Sequence, residues 1–256
     1  VSRRWTTPGP GLCATAALLM TATGCGLAPE HPLPDRGFAL RYEKPAAADK
    51  AGHRFLRDGA LADLAVAALN SSLDLPYPVT VVARSCHGEG TGYDPDTHRI
   101  ELCYDDLAEE RELFAAAGDA NPDEPLSEVV RETIYHEAGH ALIDALDLPD
   151  EGDRAEEDAA DRFAQVLLLD HDPEGDATLL TAARAYELSA AAETTPDPSD
   201  EHAPDATRAE SHRCAVYGAF PTRHKSLATP ARTACPTTWT HTRDTWTHAL
   251  TPYLRH

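Results

Sequence analysis

The stretch Leu126–Leu146 constrains this chain more than any other. Leu126, Val129, Val130, Thr133, Ile134, Ala141, Leu142 and Ala145 recur at helical spacing and predict one broad apolar stripe. Leu148-Pro149 stops the helix, because the residue before proline disfavours the α conformation. In its middle stands His136-Glu137-Ala138-Gly139-His140. Histidines four apart project from one face, one turn apart, so both imidazoles can hold the same metal ion. Glu137 lies beside that face, where a carboxylate can take a proton from metal-activated water. Two histidines and a glutamate inside an apolar helix need a reason. The competing reading is a surface pair of histidines beside a solvated carboxylate.

A catalytic zinc site needs a third protein ligand and one open position. The next predicted helix, from about Ala155 to Leu169, opens with Glu156-Glu157-Asp158 and carries Asp161. Glu157 and Asp161 are one turn apart. If this helix packs on the first, Glu157 reaches the metal and Asp161 accepts the second ring N–H of a ligand histidine. Glu156 and Asp158 compete with Glu157 for the ligand role. An acidic first turn that complements the helix dipole would also explain Glu156, Glu157 and Asp158, but not Asp161.

Around this pair the chain predicts a helix from Arg54 to Asn70 and a strand from Tyr77 to Ala83. A turn follows at Gly92–Asp96, then a strand Arg99–Tyr104 read as the hairpin partner of the first. Further helices are expected over Asp105–Ala117, with Asp105 or Asp106 as cap, then Asp176–Ala192, Asp205–Tyr217 and Thr237–Leu254. The expected class is α+β: mostly helical, with a small β-hairpin or sheet beside the His-Glu-x-x-His helix.

The first residues carry Arg3 and Arg4, an apolar run from Leu12 to Ala22, then Thr23, Gly24 and Cys25. The run has the length of an export signal and is too short to span a bilayer. This segment resembles a bacterial lipoprotein signal, which implies cleavage after residue 24, lipidation of Cys25 and anchorage outside the cytoplasm. Residues 25–50, rich in Pro and Ala, read as a tether, leaving 51–256 as the domain. Four cysteines remain in an exported chain, and each of the pairs Cys86–Cys103 and Cys214–Cys235 brackets a short segment, so these are the favoured disulfides.

The net charge is −21, from 22 Lys+Arg against 43 Asp+Glu. A chain this acidic is a poor nucleic-acid binder. The surplus would favour basic peptides, although charge of this kind is usually solvated surface. The oligomeric state is left open.

The HExxH…ExxxD arrangement resembles the gluzincin metallopeptidases. Glu157-x-x-Ala160-Asp161-x-Phe163-Ala164 is similar to the corresponding helix start of prenyl-protein and heat-shock membrane proteases and of immunity-repressor-cleaving peptidases. A closer resemblance is to a bacterial family of inferred metallopeptidases known only as a domain of unknown function. It is carried by TGYDPDTHRIELCYDDL, YHEAGHALIDALDLP, EEDAADRFA, DEHAPDATRAESHRCAVYG and the Cys235 segment. The resemblance implies a zincin-like domain, zinc (Zn2+) held by His136, His140 and Glu157, and Glu137 as catalytic base. It also makes His202, in Asp200-Glu201-His202, a candidate stabiliser of the developing oxyanion, against a plain loop histidine. Tyr135 and Tyr217 are weaker candidates. His212, His224, His241, His248 and His256 lack ligand spacing and read as surface.

Three readings follow: an exported zinc peptidase acting on peptide or protein substrates, a lipoprotein binding module with a structural zinc, and a zinc-buffering lipoprotein. Intact Glu137 favours the first, and the absence of a histidine-rich loop disfavours the third.

Overall fold

The predicted central helix is surrounded. A computed structural model describes residues 36–149, 152–193 and 200–255; the signal, Cys25 and His256 lie outside them. Helix α4 (Asp123–Ala145) is buried continuously from Ile134 to Leu142, as a helix does only when neighbours cover every side. Those neighbours are α2 (Leu61–Ser72), α3 (Asp106–Ala116), α5 (Asp153–His171), α6 (Gly175–Ala192), side chains of α7 (Asp205–Ala219) and one sheet; α1 (Lys50–Asp58) packs on α2, and α8 (Cys235–Leu250) on α7 and α5. The sheet has the order β1-β2-β4-β3, with β1 Gly37–Tyr42, β2 Pro78–Arg84, β3 Gly92–Asp94 and β4 Arg99–Cys103. The architecture is α+β, mostly helical, as expected. One apolar cluster joins both parts, including Phe38, Leu56, Ile100, Leu126, Ile134 and Phe163. Among the described residues, no helix is long and apolar enough to cross a membrane.

Three local expectations are corrected. The predicted helix over residues 54–70 is two helices. Gly59 ends α1, and Ala60, at φ 50°, turns the chain before α2 begins. Part of the predicted tether is a strand: GFALRY forms β1, pairs in parallel with β2, and is clamped by Asn70. The Asn70 amide accepts from Phe38 N (2.8 Å) and donates to Phe38 O (2.7 Å). Prolines dominate the composition around this segment and mask its strand character.

The third correction concerns the hairpin. β2 and β4 pair in parallel, Arg84 opposite Cys103, and the antiparallel partner of β4 is the short edge strand β3. Gly92–Asp94 of the predicted turn is β3 itself, and the turn that joins β3 to β4 spans 95–98. The disulfide Cys86–Cys103 ties the C-terminal ends of β2 and β4, which lie side by side only if the strands are parallel. Asp105 holds the N-cap position of α3, as expected, but its side chain makes no capping bond. Asp105 accepts from the Cys86 and Gly88 amides (both 2.8 Å), and Asp106 accepts from the amide and hydroxyl of Thr91, pinning the loop that leads into β3. The second disulfide, Cys214–Cys235, joins α7 to α8 as expected.

Candidate metal centre

Gly139 sets the geometry of the centre. A Cβ at this position would stand 2.9 Å from Ala160 Cα, so only glycine lets α5 cross α4 this closely. Ala160 is flanked in α5 by Glu157, one turn before it, and Asp161, the next residue. The crossing therefore delivers both carboxylates to the two histidines of α4.

At the centre the Nε2 atoms of His136 and His140 stand 3.2 Å apart. Glu157 Oε2 lies 3.1 Å from the first and 3.4 Å from the second. Each ring is oriented from behind. His136 Nδ1 is 2.9 Å from Asp161 Oδ1, and His140 Nδ1 is 2.8 Å from Glu156 Oε1. An ionised carboxylate only accepts, so both Nδ1 atoms carry protons, and each ring in its neutral form presents the Nε2 lone pair to the centre. Three electron-pair donors thus converge, and Glu157 Oε2 is buried with no well-formed hydrogen bond. Such an arrangement asks for a cation. The mutual separations match the edges of a tetrahedron with metal–ligand bonds of about 2.0–2.1 Å, which are about 3.3 Å long. Two imidazoles and a carboxylate suit a divalent first-row ion.

The surrounding carboxylates favour positive charge at this spot, whether carried by a proton or by a metal ion. Burial disfavours charge on His136, but Asp161 and Glu157 outweigh it and push its pKa up to about 10. Burial also works against ionised Glu157, yet His136, His140 and His202 hold its pKa far below the ordinary value. Burial raises the Glu137 pKa, against the pull of His136 and His140. Glu137 is 6% exposed and lines a cavity of about 250 Å³ with His136 and His202.

His202 reaches the centre from the loop before α7. Its Nε2 stands 3.0 Å from Glu157 Oε2 and its Nδ1 3.1 Å from Asp200 Oδ1. Arg154, on α5, holds this loop by bonding to the carbonyls of Glu201 (2.7 Å) and Asp200 (3.0 Å). The mutually convergent set comprises His136, His140 and Glu157; His202 approaches Glu157 without joining it. Of the competing ligands, Glu156 orients His140, and Asp158 pairs weakly with Arg162 at 3.4 Å. Tyr135 is buried, but neither it nor Tyr217 lines the cavity.

Two functional-looking groups escaped the sequence reading. Arg208 of α7 holds both oxygens of Asp161 (2.7 and 3.0 Å) and stacks on Tyr186 at 4.3 Å. His212, expected on the surface, is fully buried. Its Nε2 is 3.2 Å from Glu132 Oε1, and Gln165 Nε2 is 3.0 Å from its Nδ1. His224 is also no free surface group: its Nε2 bonds Asp176 at 2.7 Å. The legible signal was helical spacing beyond the motif. Glu132-His136-His140, Glu157-Asp161-Gln165 and Arg208-His212 are each polar ladders at intervals of four. Other clusters of potential ligands are already accounted for: Cys86 and Cys103 form a disulfide, and Glu132 and Asp161 are held by His212 and Arg208.

No match was found among curated proteins or among solved structures. A protein-family match spans residues 42–250 and contains every residue of the centre. The chain that builds this two-histidine, one-glutamate centre belongs to that family, DUF4344, described as "Putative metallopeptidase".

Proposed function

We propose that the protein is an exported, lipid-anchored zinc metallopeptidase that hydrolyses peptide bonds in the cell envelope. The observation that carries this reading is the convergence of three lone-pair donors beside a buried carboxylate that opens on a cavity. His136, His140 and Glu157 hold the ion, with Asp161 and Glu156 fixing the ring orientations. Zinc, when bound there, supplies a Lewis acid that activates water and polarises the scissile carbonyl. Glu137 receives the water proton and passes it to the leaving amine, a task suited to a carboxylate whose pKa burial has raised. His202 donates from Nε2 to the oxygen on which negative charge develops. The edge strand β3 offers one free backbone side to an extended peptide, and Thr91, just before it, lines the cavity. Export rests on the signal-like N-terminus with Cys25, and the two disulfides suit an oxidising compartment.

The approach of His202 to Glu157 supports a second reading, a structural zinc closed by a fourth protein ligand. Cleavage of a mixed peptide library by zinc-loaded protein separates the two. The peptidase reading expects discrete cleavage sites, with rates at least about 100-fold lower in Glu137→Gln. A zinc-loaded protein that cleaves nothing, or an equally active Glu137→Gln, sinks it. Loss of zinc in His202→Ala would favour the closed structural site.

A further inference from the structure

The cavity beside Glu137 extends away from the metal centre to α3, where it meets Glu110. Leu113, Val129 and Ala182 give it an apolar side. At about 250 Å³ it has room for one long side chain and not for a whole drug-sized ligand. Two other carboxylates of the cavity have partners. Asp106 bonds Thr91, and Glu132 bonds His212. Glu110 Oε2 is buried and has no hydrogen-bond partner. Nearby cations are committed elsewhere: Arg111 to Asp123, Arg184 to Asp119 and Arg208 to Asp161. A buried carboxylate left without a partner is costly and calls for a donor from outside the chain. Burial, with Asp106, Glu132 and Glu109 adding to it, pushes the Glu110 pKa up to about 8, as an uncompensated site should.

We propose that Glu110 is the specificity-determining residue of this site and selects peptides carrying a basic side chain next to the scissile bond. The apolar side covers the methylene stem, and Glu110 gives up its proton as its carboxylate meets the cationic head. A hydrogen-bonding neutral side chain would satisfy Glu110 without the charge pairing. This inference rests on the peptidase reading of the same site, so its test includes binding as well as turnover.

The probes are peptide pairs that differ only in Lys against its uncharged isostere norleucine. They are titrated calorimetrically at pH 9, where Glu110 is ionised and Lys still charged, into zinc-loaded Glu137→Gln, which binds without turnover, and into Glu110→Gln/Glu137→Gln. In parallel, zinc-loaded wild type and Glu110→Gln digest a mixed peptide library. The expected result is a preference for Lys of about tenfold or more that falls to about onefold without the Glu110 charge. The cleavage sites of wild type should be enriched in Lys and Arg, and those of Glu110→Gln should not. Thermal melts guard against misfolding: Glu110→Gln removes a desolvated carboxylate and should melt no lower than wild type. Cleavage with no basic preference, a preference for Gln or Asn peptides over Lys, or one that survives Glu110→Gln overturns the proposal and leaves the peptidase reading intact. Glu110-dependent Lys binding without cleavage by wild type upholds the pocket and overturns the peptidase reading. Equal binding of Lys and norleucine peptides overturns the pocket.

Discussion

Three imidazoles around Glu157 each engage a different carboxylate through Nδ1: Asp161, Glu156 and Asp200. These partners are not equivalent. Asp161 is 4% exposed and also neutralises buried Arg208, whereas the Glu156 side chain is 48% exposed. Glu156→Gln should therefore weaken zinc affinity by about 10-fold with little change in stability. Asp161→Asn should weaken it more, and should also cost about 3–5 kcal/mol of stability by stranding the Arg208 charge. Zinc competition assays and urea melts on both variants check the contrast; equal effects would mean that Arg208 is satisfied elsewhere. Glu110 gives a pH signature. Its folded pKa of about 8 lies above the unfolded value, so it binds its proton more tightly when folded. Its contribution is greatest below about pH 4.5 and is lost as pH rises through about 8. Relative to Glu110→Gln, wild type should lose up to a few kcal/mol between pH 5 and pH 9 in urea melts; parallel profiles would contradict it. The HExxH face was legible because spacing alone puts it on one helix face, and Glu157 was favoured because Asp161 stands one turn after it. The orienting role of Glu156 was not, since adjacent acidic residues look alike until the crossing of two helices picks one. His212 was misread because its partners, Glu132 and Gln165, lie 80 and 47 residues away.

Among the elements, the α4–α5 crossing governs the centre. Gly139→Ala puts a methyl against the Ala160 backbone, which must move away. The expected cost is about 1–3 kcal/mol, with a loss of zinc affinity of about tenfold or more as Glu157 and Asp161 retreat. Unchanged melting and zinc affinity in Gly139→Ala would show that the close crossing is not required. Apart from the break at Gly59 and Ala60, helices were legible nearly to their ends, because long periodic segments declare themselves. The sheet was less so. Strand polarity is a non-local choice, and two nearby strands invite a hairpin reading. The Cys86–Cys103 pairing already held the answer, since a link between two C-terminal strand ends requires parallel strands. β1 was hidden for a different reason: its six residues are stabilised by β2 and by Asn70, far along the chain.

In the molecule as a whole, α7 carries Arg208 and His212 to the centre, and α8 packs on α7. Cys214–Cys235 ties them across a separation of 21 residues, beside Gly218, where a Cβ would meet the Cys235 carbonyl at 2.5 Å. Replacing both cysteines by serine should cost about 3 kcal/mol and lower Tm by about 6–12 °C, measured by calorimetry. A Tm within about 2 °C of wild type would show that packing alone holds α7 in place. The central claim concerns the metal centre, and metal content tests it most directly. Purified wild type, Glu157→Ala and Glu137→Gln, each incubated with zinc and desalted, are analysed by plasma mass spectrometry. The account predicts about one zinc per chain in wild type and in Glu137→Gln, whose carboxylate is not a ligand, and little in Glu157→Ala. Zinc retained by Glu157→Ala, or absent from wild type, would contradict it.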